Sequence, residues 1–290
     1  MDEYMIITDS TADLPEEYLN EHNVGCMYLN CIMKGITYNA DNKIDSSEFY
    51  KGVRSGEMPT TSQVNPAQAR KEISKYINDY KKILCICLSS GISGTFQSVS
   101  IAAEELMEEH SDVRIEVIDS LSASLGEGLL VHKAVKMRES GDDFDTTVAW
   151  CRENNKNIIH MFTVDDLGHL ARGGRISKST ALVGSMVGIK PLLFFDNEGH
   201  LVNIGKCRGR KKSLNELVEG LDKRMGQRKS ENDIFFIGHG DCIEDAEYVA
   251  DLLREKYGTD SFLINYISPV IGAHSGPGTV ALFGIGDGRD

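Results

Sequence analysis

Short apolar runs alternate with segments of helical periodicity along the first half of the chain. The runs at residues 4–7, 83–88 and 113–118 have the length and composition of buried strands. Between them lie stretches with apolar positions at helical spacing, for example residues 65–80, which open on an Asn-Pro pair. This alternation predicts an α/β fold with a mostly parallel sheet flanked by helices.

The second half of the chain has a different pattern. An Asn-Glu-Gly turn at residues 197–199 separates two apolar runs and predicts a β-hairpin, and a clear amphipathic helix follows later. We therefore expect two domains, an N-terminal α/β domain over residues 1–155 and a C-terminal α+β domain over residues 156–290. The last residues could return to the first domain. The expected elements are strands at 157–164, 192–196, 200–204, 234–237, 262–267 and 280–283, and helices at 212–224 and 245–257.

Small polar residues follow several of the predicted strands. Asp9 and Ser10 follow the first, residues 89–95 (Ser-Ser-Gly-Ile-Ser-Gly-Thr) follow the run at 83–88, and Asp119 and Ser120 follow the run at 113–118. Because the carboxyl ends of parallel strands meet at one edge of a sheet, ligands bind there. A glycine-rich turn that opens a helix also presents backbone N–H groups, which bind phosphate or carboxylate.

Two further segments carry expectations about local structure. Residues 24–33 form a second apolar segment, and residues 58–63 (Met-Pro-Thr-Thr-Ser-Gln) are expected to form a polar loop.

Composition and charge exclude some classes of partner. The chain has 290 residues, 41% of them hydrophobic, and a net charge of −13, which argues against a nucleic-acid partner. The basic run at residues 206–212 is either a solvated turn leading into a helix or a local docking patch.

Cysteine usage and the termini bear on the compartment. The seven cysteines are odd in number and lack zinc-site spacing, so we expect neither a disulfide framework nor a metal site. The first residues lack the basic and apolar regions of a signal peptide, and no apolar run reaches the length of a membrane span. We expect a reduced, cytoplasmic protein.

Six short motifs in a fixed order carry a family resemblance. The motifs are Asp-Ser-Thr-Ala-Asp-Leu-Pro at 9–15, Thr-Thr-Ser-Gln at 60–63, Ser-Ser-Gly-Ile-Ser-Gly-Thr at 89–95, Gly-Gly-Arg-Ile at 173–176, Lys-Pro at 190–191 and His-Ser-Gly-Pro-Gly at 274–278. With them, the sequence resembles the DegV family of fatty-acid-binding proteins, some of which are the acyl-carrying subunit of bacterial fatty acid kinase.

The resemblance implies a fold, a ligand and a partner. It implies one long-chain fatty acid, such as palmitate, in a buried tunnel between two domains, with no cofactor and no catalytic residue in this chain. An ATP-binding fatty acid kinase would be the partner, and Arg172 and Arg175 are candidate contacts for it. A transient membrane contact is compatible with such a carrier. The residues implied for the fatty-acid carboxylate are Thr61, Ser93, Gly94, Thr95 and His274, and those implied for the supporting loops are Asp9, Ser10, Ser62, Ser120 and Gly276.

Local readings of the same residues stay open. Ser93 could simply cap the helix that begins at Gly94, since serine is a favoured N-cap. Arg175 follows two glycines and is expected to be exposed, and His274 is expected in a Gly/Pro-rich turn, where it could hydrogen-bond the backbone instead of a ligand. Asp9 and Asp13 are expected to cap and fix the first loop.

Two other functions compete with the carrier. A serine hydrolase would use Ser93 as nucleophile and His274 as base, but no Gly-x-Ser-x-Gly elbow surrounds Ser93. A phosphate-ligand binder would use the glycine-rich loop, but no Gly-x-x-x-x-Gly-Lys-Ser/Thr motif is present.

Overall fold

A computed structural model describes residues 3–177 and 188–289 of the chain. Strands account for much of both halves and form three sheets. The strands within these ranges are β1 (Met5–Asp9), β2 (Val24–Met27), β3 (Asn30–Met33), β4 (Ile36–Tyr38), β5 (Thr60–Ser62), β6 (Lys82–Cys87), β7 (Arg114–Asp119), β8 (Ile158–Thr163), β9 (Ile189–Phe195), β10 (Leu201–Arg208), β11 (Phe235–His239), β12 (Phe262–Tyr266) and β13 (Val280–Ile285).

Helices connect these strands. Side chains cap the starts of several of them: Asp45 accepts a hydrogen bond from the Glu48 N–H, and Asn65 and Gln68 form a reciprocal capping box. The helices in the described ranges are α1 (Glu16–Glu21), α2 (Ser46–Arg54), α3 (Pro66–Ile73), α4 (Thr95–Glu109), α5 (Leu125–Ser140), α6 (Phe144–Asn154), α7 (Gly168–Arg172), α8 (Arg210–Met225), α9 (Ile243–Tyr257) and α10 (Pro269–Ser275).

The first sheet is parallel, in the order β2-β1-β6-β7. Its central strands β1 and β6 are almost entirely buried, as expected for strands covered on both faces. The predicted α/β fold with a parallel sheet is confirmed. The segments after β1, β6 and β7 all lie at the carboxyl edge, where the Asp9 and Asp119 carboxylates accept hydrogen bonds from the N–H groups of Leu88 and Ser90.

The second sheet is mixed, in the order β10-β9-β8-β13-β11-β12. The predicted hairpin joins β9 and β10, which pair antiparallel with Leu201 opposite Phe195. Side chains alternate along β8, so that Ile159 and Met161 pack with helices α8 and α9, while His160 and Phe162 face the other way. That second face is turned towards the parallel sheet.

Helix α5 lies between the two sheets and packs against β1 and β6 on one side and β8, β11 and β13 on the other. At the end of the chain, Arg289 is buried and ties the two halves together with five hydrogen bonds. The last residues thus return to the first half, and the boundary at residue 155 stays a prediction. The five acceptors are the carbonyls of Leu121, Asn155, Ile158 and Asp196 and the Ser122 hydroxyl.

One local prediction is wrong. Residues 58–63 are not simply a polar loop, because Thr60–Ser62 forms strand β5 and pairs with β3 in a small three-stranded sheet, which supplies backbone partners that the local sequence does not reveal. The apolar segment 24–33 forms two strands. It divides at Leu29, whose N–H donates to the Ser10 hydroxyl, and its halves β2 and β3 belong to different sheets.

The basic run at 206–212 does lead into a helix, but it is not simply a solvated turn. Its first residues continue strand β10, and helix α8 begins at Arg210. Arg210 itself is three-quarters buried and bonds to Asp245 at 2.8 Å and to the carbonyl of Gly278 at 2.7 Å, because the helix start packs against the turn that follows α10. In the part of the chain that is described, no helix has the length and apolar character needed to cross a bilayer.

Candidate lipid-binding site

A cavity of about 570 Å³ lies between the carboxyl edge of the parallel sheet and the inner face of the mixed sheet. Its volume falls within the roughly 300–1,000 Å³ typical of small-molecule sites. One part of the wall is polar and the rest is mostly apolar. The polar part includes Thr61, Ser62, Gln63, Ser93, Arg175 and His274, and the apolar part includes Leu29, Leu88, Ala123, Phe162, Leu170, Phe195, Ile267, Val270, Ile271, Ala281 and Phe283.

Thr61 and His274 meet at the polar end of the cavity. Thr61 comes from β5 and His274 from the last turn of α10, and the Thr61 Oγ1 lies 2.8 Å from the His274 Nε2. The expectation that His274 lies in a turn is wrong. Pro269 occupies the first turn of a seven-residue helix that ends at Gly276, whose positive φ of 79° stops it just after His274.

The surroundings of the His274 ring indicate its tautomer. Burial and the neighbouring Arg175 charge lower the pKa of His274 to about 4, so the ring is neutral at pH 7. Nδ1 packs against Gly173 and has no hydrogen-bond partner among the described residues. A proton there would be a buried donor without an acceptor, so we expect the proton on Nε2, donating to Thr61. The Thr61 hydroxyl proton is then free to point into the cavity.

Ser93 is the second hydroxyl at the polar end. It precedes helix α4, and its Oγ lies 3.0 Å from the Thr95 Oγ1 and accepts from the Thr95 N–H at 3.2 Å. Gly94 is the N-cap residue, so Ser93 satisfies the first amide of the helix while also lining the cavity. Thr95 is fully buried beneath it. If the Thr95 hydroxyl donates to Ser93, the Ser93 O–H is left to donate to a ligand.

The backbone of this loop is arranged differently from the expected anion site. Every N–H from Ser89 to Thr95 already has an acceptor within the protein. The Gly94 N–H donates to the Gln63 side chain at 3.1 Å, and the Thr95 N–H to Ser93. In this structure the loop offers a ligand its Ser93 hydroxyl instead of its amides.

Arg175 is not the exposed side chain that its two preceding glycines suggested. It is half buried and lines the polar end of the cavity, where its guanidinium donates to the carbonyls of Ile92 and Gly173. Arg172, three residues earlier, is exposed at the end of α7. Burial lowers the pKa of Arg175, although an arginine stays charged at neutral pH. Arg175 therefore provides a positive charge close to His274.

The apolar end is closed by aromatic rings from the mixed sheet. His160 stacks on Phe195 with ring centroids 4.5 Å apart and meets the edge of Phe283 at 5.3 Å. Burial lowers the pKa of His160 far below its usual value, and the charge of Arg289 lowers it further. Neither ring nitrogen forms a hydrogen bond within the described chain, although the Ile158 carbonyl lies near enough to oppose the shift slightly. The sequence pattern did not single out His160.

The residues predicted to support the site hold loops in place. Ser62 lines the cavity and accepts from the Asn30 amide, while Ser10 fixes Leu29 in its wall. Ser120 is buried and bonds within its own loop, to the backbone of Ser122. Gly276 packs against His169, where a Cβ atom would lie 2.6 Å from the ring.

A cluster of three buried carboxyl groups lies behind the cavity, and the sequence pattern missed its third member. Asp9 accepts from the N–H groups of Thr11 and Leu88, and Glu127 of α5 accepts from the hydroxyls of Thr8 and Thr11. Burial raises the pKa of both, and the charges of Asp9 and Asp13 raise that of Glu127 further. The signal was weak, because Glu127 lies in the first turn of a helix, where an exposed glutamate is ordinary.

Asp13 also belongs to this cluster and joins three segments. Its carboxylate accepts from the Ser124 hydroxyl at the start of α5 and from the Ser268 N–H at the start of α10. Burial raises the pKa of Asp13 to about 7, against the effect of these hydrogen bonds. Asp9 and Asp13 also line a second cavity of about 510 Å³, which shares Leu29 and Val270 with the first. The expectation that Asp9 and Asp13 fix the first loop agrees with these bonds.

The competing chemistries find little support in this geometry. A hydrolase would need His274 to contact Ser93 and an acid to hold the other ring nitrogen, whereas His274 bonds to Thr61 through Nε2 and its Nδ1 has no partner among the described residues. A phosphate binder would need free loop amides, which are occupied. Among the described residues, no group of three His, Cys, Asp or Glu side chains could hold a metal ion.

Comparison with known proteins identifies the family. A family model described as an uncharacterised protein of the DegV family matches residues 3–287. A DegV domain-containing protein of Clostridium perfringens is 41% identical over the full length of both chains.

Two solved structures resemble the chain throughout. One is DegV, a fatty acid binding protein from Bacillus subtilis, with 31% identity, a TM-score of 0.83, and 98% of this chain and 99% of that chain covered. The other is a fatty acid binding DegV family protein from Streptococcus agalactiae, with 30% identity, a TM-score of 0.84 and 98% of each chain covered. On its sequence over nearly its whole length, and on its fold, the chain belongs to the DegV family.

Proposed function

We propose that this protein binds one long-chain fatty acid in the cavity and presents its carboxylate to a separate ATP-dependent kinase. The observation that carries the first half of the proposal is the two-ended cavity, with Thr61, Ser93 and His274 at one end and an aromatic wall at the other. Two relatives of the same fold are described as fatty acid binding proteins.

The two ends suit the two parts of a fatty acid. A carboxylate that leaves water needs hydrogen-bond donors, and the hydroxyls of Thr61 and Ser93, with Arg175 nearby, supply them. The acyl chain needs only a dry apolar wall. Each buried methylene contributes about 0.8 kcal/mol, so a chain of roughly fifteen gains on the order of 10 kcal/mol before the cost of association. The tail would supply most of the affinity, and the polar end would set the orientation.

The second half of the proposal concerns the reaction. A carboxylate oxygen of the bound fatty acid would attack the γ-phosphorus of ATP held by the kinase, forming acyl phosphate and releasing ADP. This protein would hold the carboxylate in place and exclude water, and the kinase would supply ATP and its metal ion. The exposed Arg172 next to the polar end is the side chain we assign to the kinase contact, and Arg175 would act from inside the cavity.

Denaturing solvent extraction of the purified protein followed by mass spectrometry tests the ligand. We expect a long-chain fatty acid in a one-to-one ratio. A protein that carries none and takes up none when it is added would overturn the proposal.

Phosphorylation of bound fatty acid by a purified kinase of this type tests the presentation role. Ser93→Ala and His274→Ala should slow phosphorylation more than they reduce total lipid retained, because the tail keeps its contacts. Ser90→Ala is the matched control, since Ser90 lies in the same loop but is exposed and outside the cavity wall. If the fatty acid bound to Ser93→Ala and His274→Ala is phosphorylated as fast as that bound to Ser90→Ala and to the wild type, these two residues are not part of the site.

A further inference from the structure

The two hydroxyls at the polar end come from parts of the fold that no sheet connects. Thr61 belongs to the small antiparallel sheet, and Ser93 lies in the loop between β6 of the parallel sheet and helix α4. A carboxylate that accepts from both requires a fixed distance between them. Something other than strand pairing must therefore hold the two segments together.

The side chain of Gln63 makes this connection. Gln63 follows β5 directly, and its Oε1 accepts from the Gly94 N–H at 3.1 Å while its Nε2 donates to the Ser98 hydroxyl at 3.0 Å. The Ser98 N–H donates in turn to the Gly94 carbonyl at 3.0 Å, which closes the first turn of α4. One amide therefore bonds to both ends of the helical turn that directly follows Ser93.

The packing around this amide is close. A Cβ atom on residue 94 would lie 2.4 Å from the Gln63 Oε1, so only glycine allows the approach. The backbone on the other side is also fixed, because Val64 is buried and Asn65 forms the capping box of α3. The amide is thus placed between two anchored segments, although Gln63 is an exposed residue of the cavity lining.

We infer that Gln63 is a positioning residue for the head group, which holds the Ser93 turn against Thr61 and keeps the cavity mouth free of negative charge. This inference rests on the proposed function. A neutral amide can satisfy one backbone donor and one hydroxyl without repelling an anionic ligand. A glutamate at the same place could still accept from the Gly94 N–H, but it could not donate to Ser98 and would place a carboxylate beside that of the fatty acid.

Ligand selectivity tests this role in a way that stability alone does not. We would measure the affinities of the wild type and of Gln63→Glu and Gln63→Met for palmitate and for hexadecanol, which has the same chain but no charge. We expect Gln63→Glu to weaken palmitate binding by about tenfold or more and hexadecanol binding by much less. Gln63→Met removes both hydrogen bonds without adding charge. It should weaken palmitate binding less than Gln63→Glu does, but it should weaken palmitate binding more than hexadecanol binding.

Gln68→Glu is the matched control. Gln68 also accepts from a backbone N–H at a helix start, that of Asn65 at 3.0 Å, but it does not line the cavity. It should leave the ratio of the two affinities unchanged. If Gln63→Glu also leaves this ratio unchanged, the positioning role is wrong. If the wild type itself fails to bind palmitate, the proposed function fails instead, so the two failures are distinguishable.

Discussion

The substitution Asp13→Asn should make the protein less sensitive to rising pH. Asp13 has a φ of 54°, a left-handed conformation that asparagine adopts readily, so the backbone should not change. The amide oxygen can accept from the Ser268 N–H as the carboxylate does, and the amide nitrogen can donate to the Ser124 hydroxyl once that hydroxyl rotates. The main change is the loss of a titratable group.

The size of the effect follows from the pKa of Asp13, which burial raises from 3.8 to about 7. A folded-state pKa above the unfolded value stabilises the fold fully at low pH, and this contribution is lost as pH rises from 3.8 through 7. Between pH 5 and pH 7 the folded protein keeps a proton that the unfolded chain has released. At 1.36 kcal/mol per pH unit, these two units correspond to about 3 kcal/mol.

Urea unfolding of the wild type and Asp13→Asn at pH 5 and pH 8 measures this difference. Between pH 5 and pH 8, the unfolding free energy of the wild type should fall by about 3 kcal/mol more than that of the variant. Asp222→Asn is the control. Burial raises the pKa of Asp222, but hydrogen bonds from Lys229 and Tyr257 outweigh it and bring the pKa to about 2. Asp222 is therefore ionised at both pH values, and its replacement should change the unfolding free energy by the same amount at each. Parallel pH curves for the wild type and Asp13→Asn would refute the reasoning.

Two further substitutions probe buried side chains outside the polar end of the cavity. Arg289→Met should lower the unfolding free energy by about 3–5 kcal/mol, because it leaves the buried acceptors of the guanidinium unpaired, while Arg289→Lys should retain part of that stability. Urea unfolding measures both variants, with Arg254→Lys on the surface as the control. If Arg289→Met loses no more stability than this control, the bonding described is contradicted. His160→Leu should leave the unfolding free energy unchanged or raise it by about 1 kcal/mol, because it removes two unpaired ring nitrogens from an apolar wall, and it should preserve fatty acid binding. A fall in melting temperature of several degrees would show that the imidazole has a partner after all.

The sequence predicted the architecture better than the hydrogen bonds. The alternation of apolar runs and helical segments was enough for the parallel sheet, and the Asn-Glu-Gly turn was enough for the β9–β10 hairpin, because both signals are local. Strand β5 was missed because only three residues form it and its partner β3 lies some thirty residues away. The inward position of Arg175 was missed because the direction of a side chain after two glycines depends on the carbonyls it finds, here those of Ile92 and Gly173.

The glycine-rich loop shows most clearly where local reasoning stops. A strand, a Ser/Gly segment and a helix predict free amides, and they cannot reveal that Gln63 accepts from Gly94 across 31 positions of the chain. With its amides occupied, the loop contributes a hydroxyl, and the polar end becomes a set of neutral donors beside one half-buried arginine. On the proposed function this difference matters. A ring of backbone N–H groups would stabilise a bound carboxylate strongly and weaken it as a nucleophile, whereas two hydroxyls orient it with less loss of reactivity.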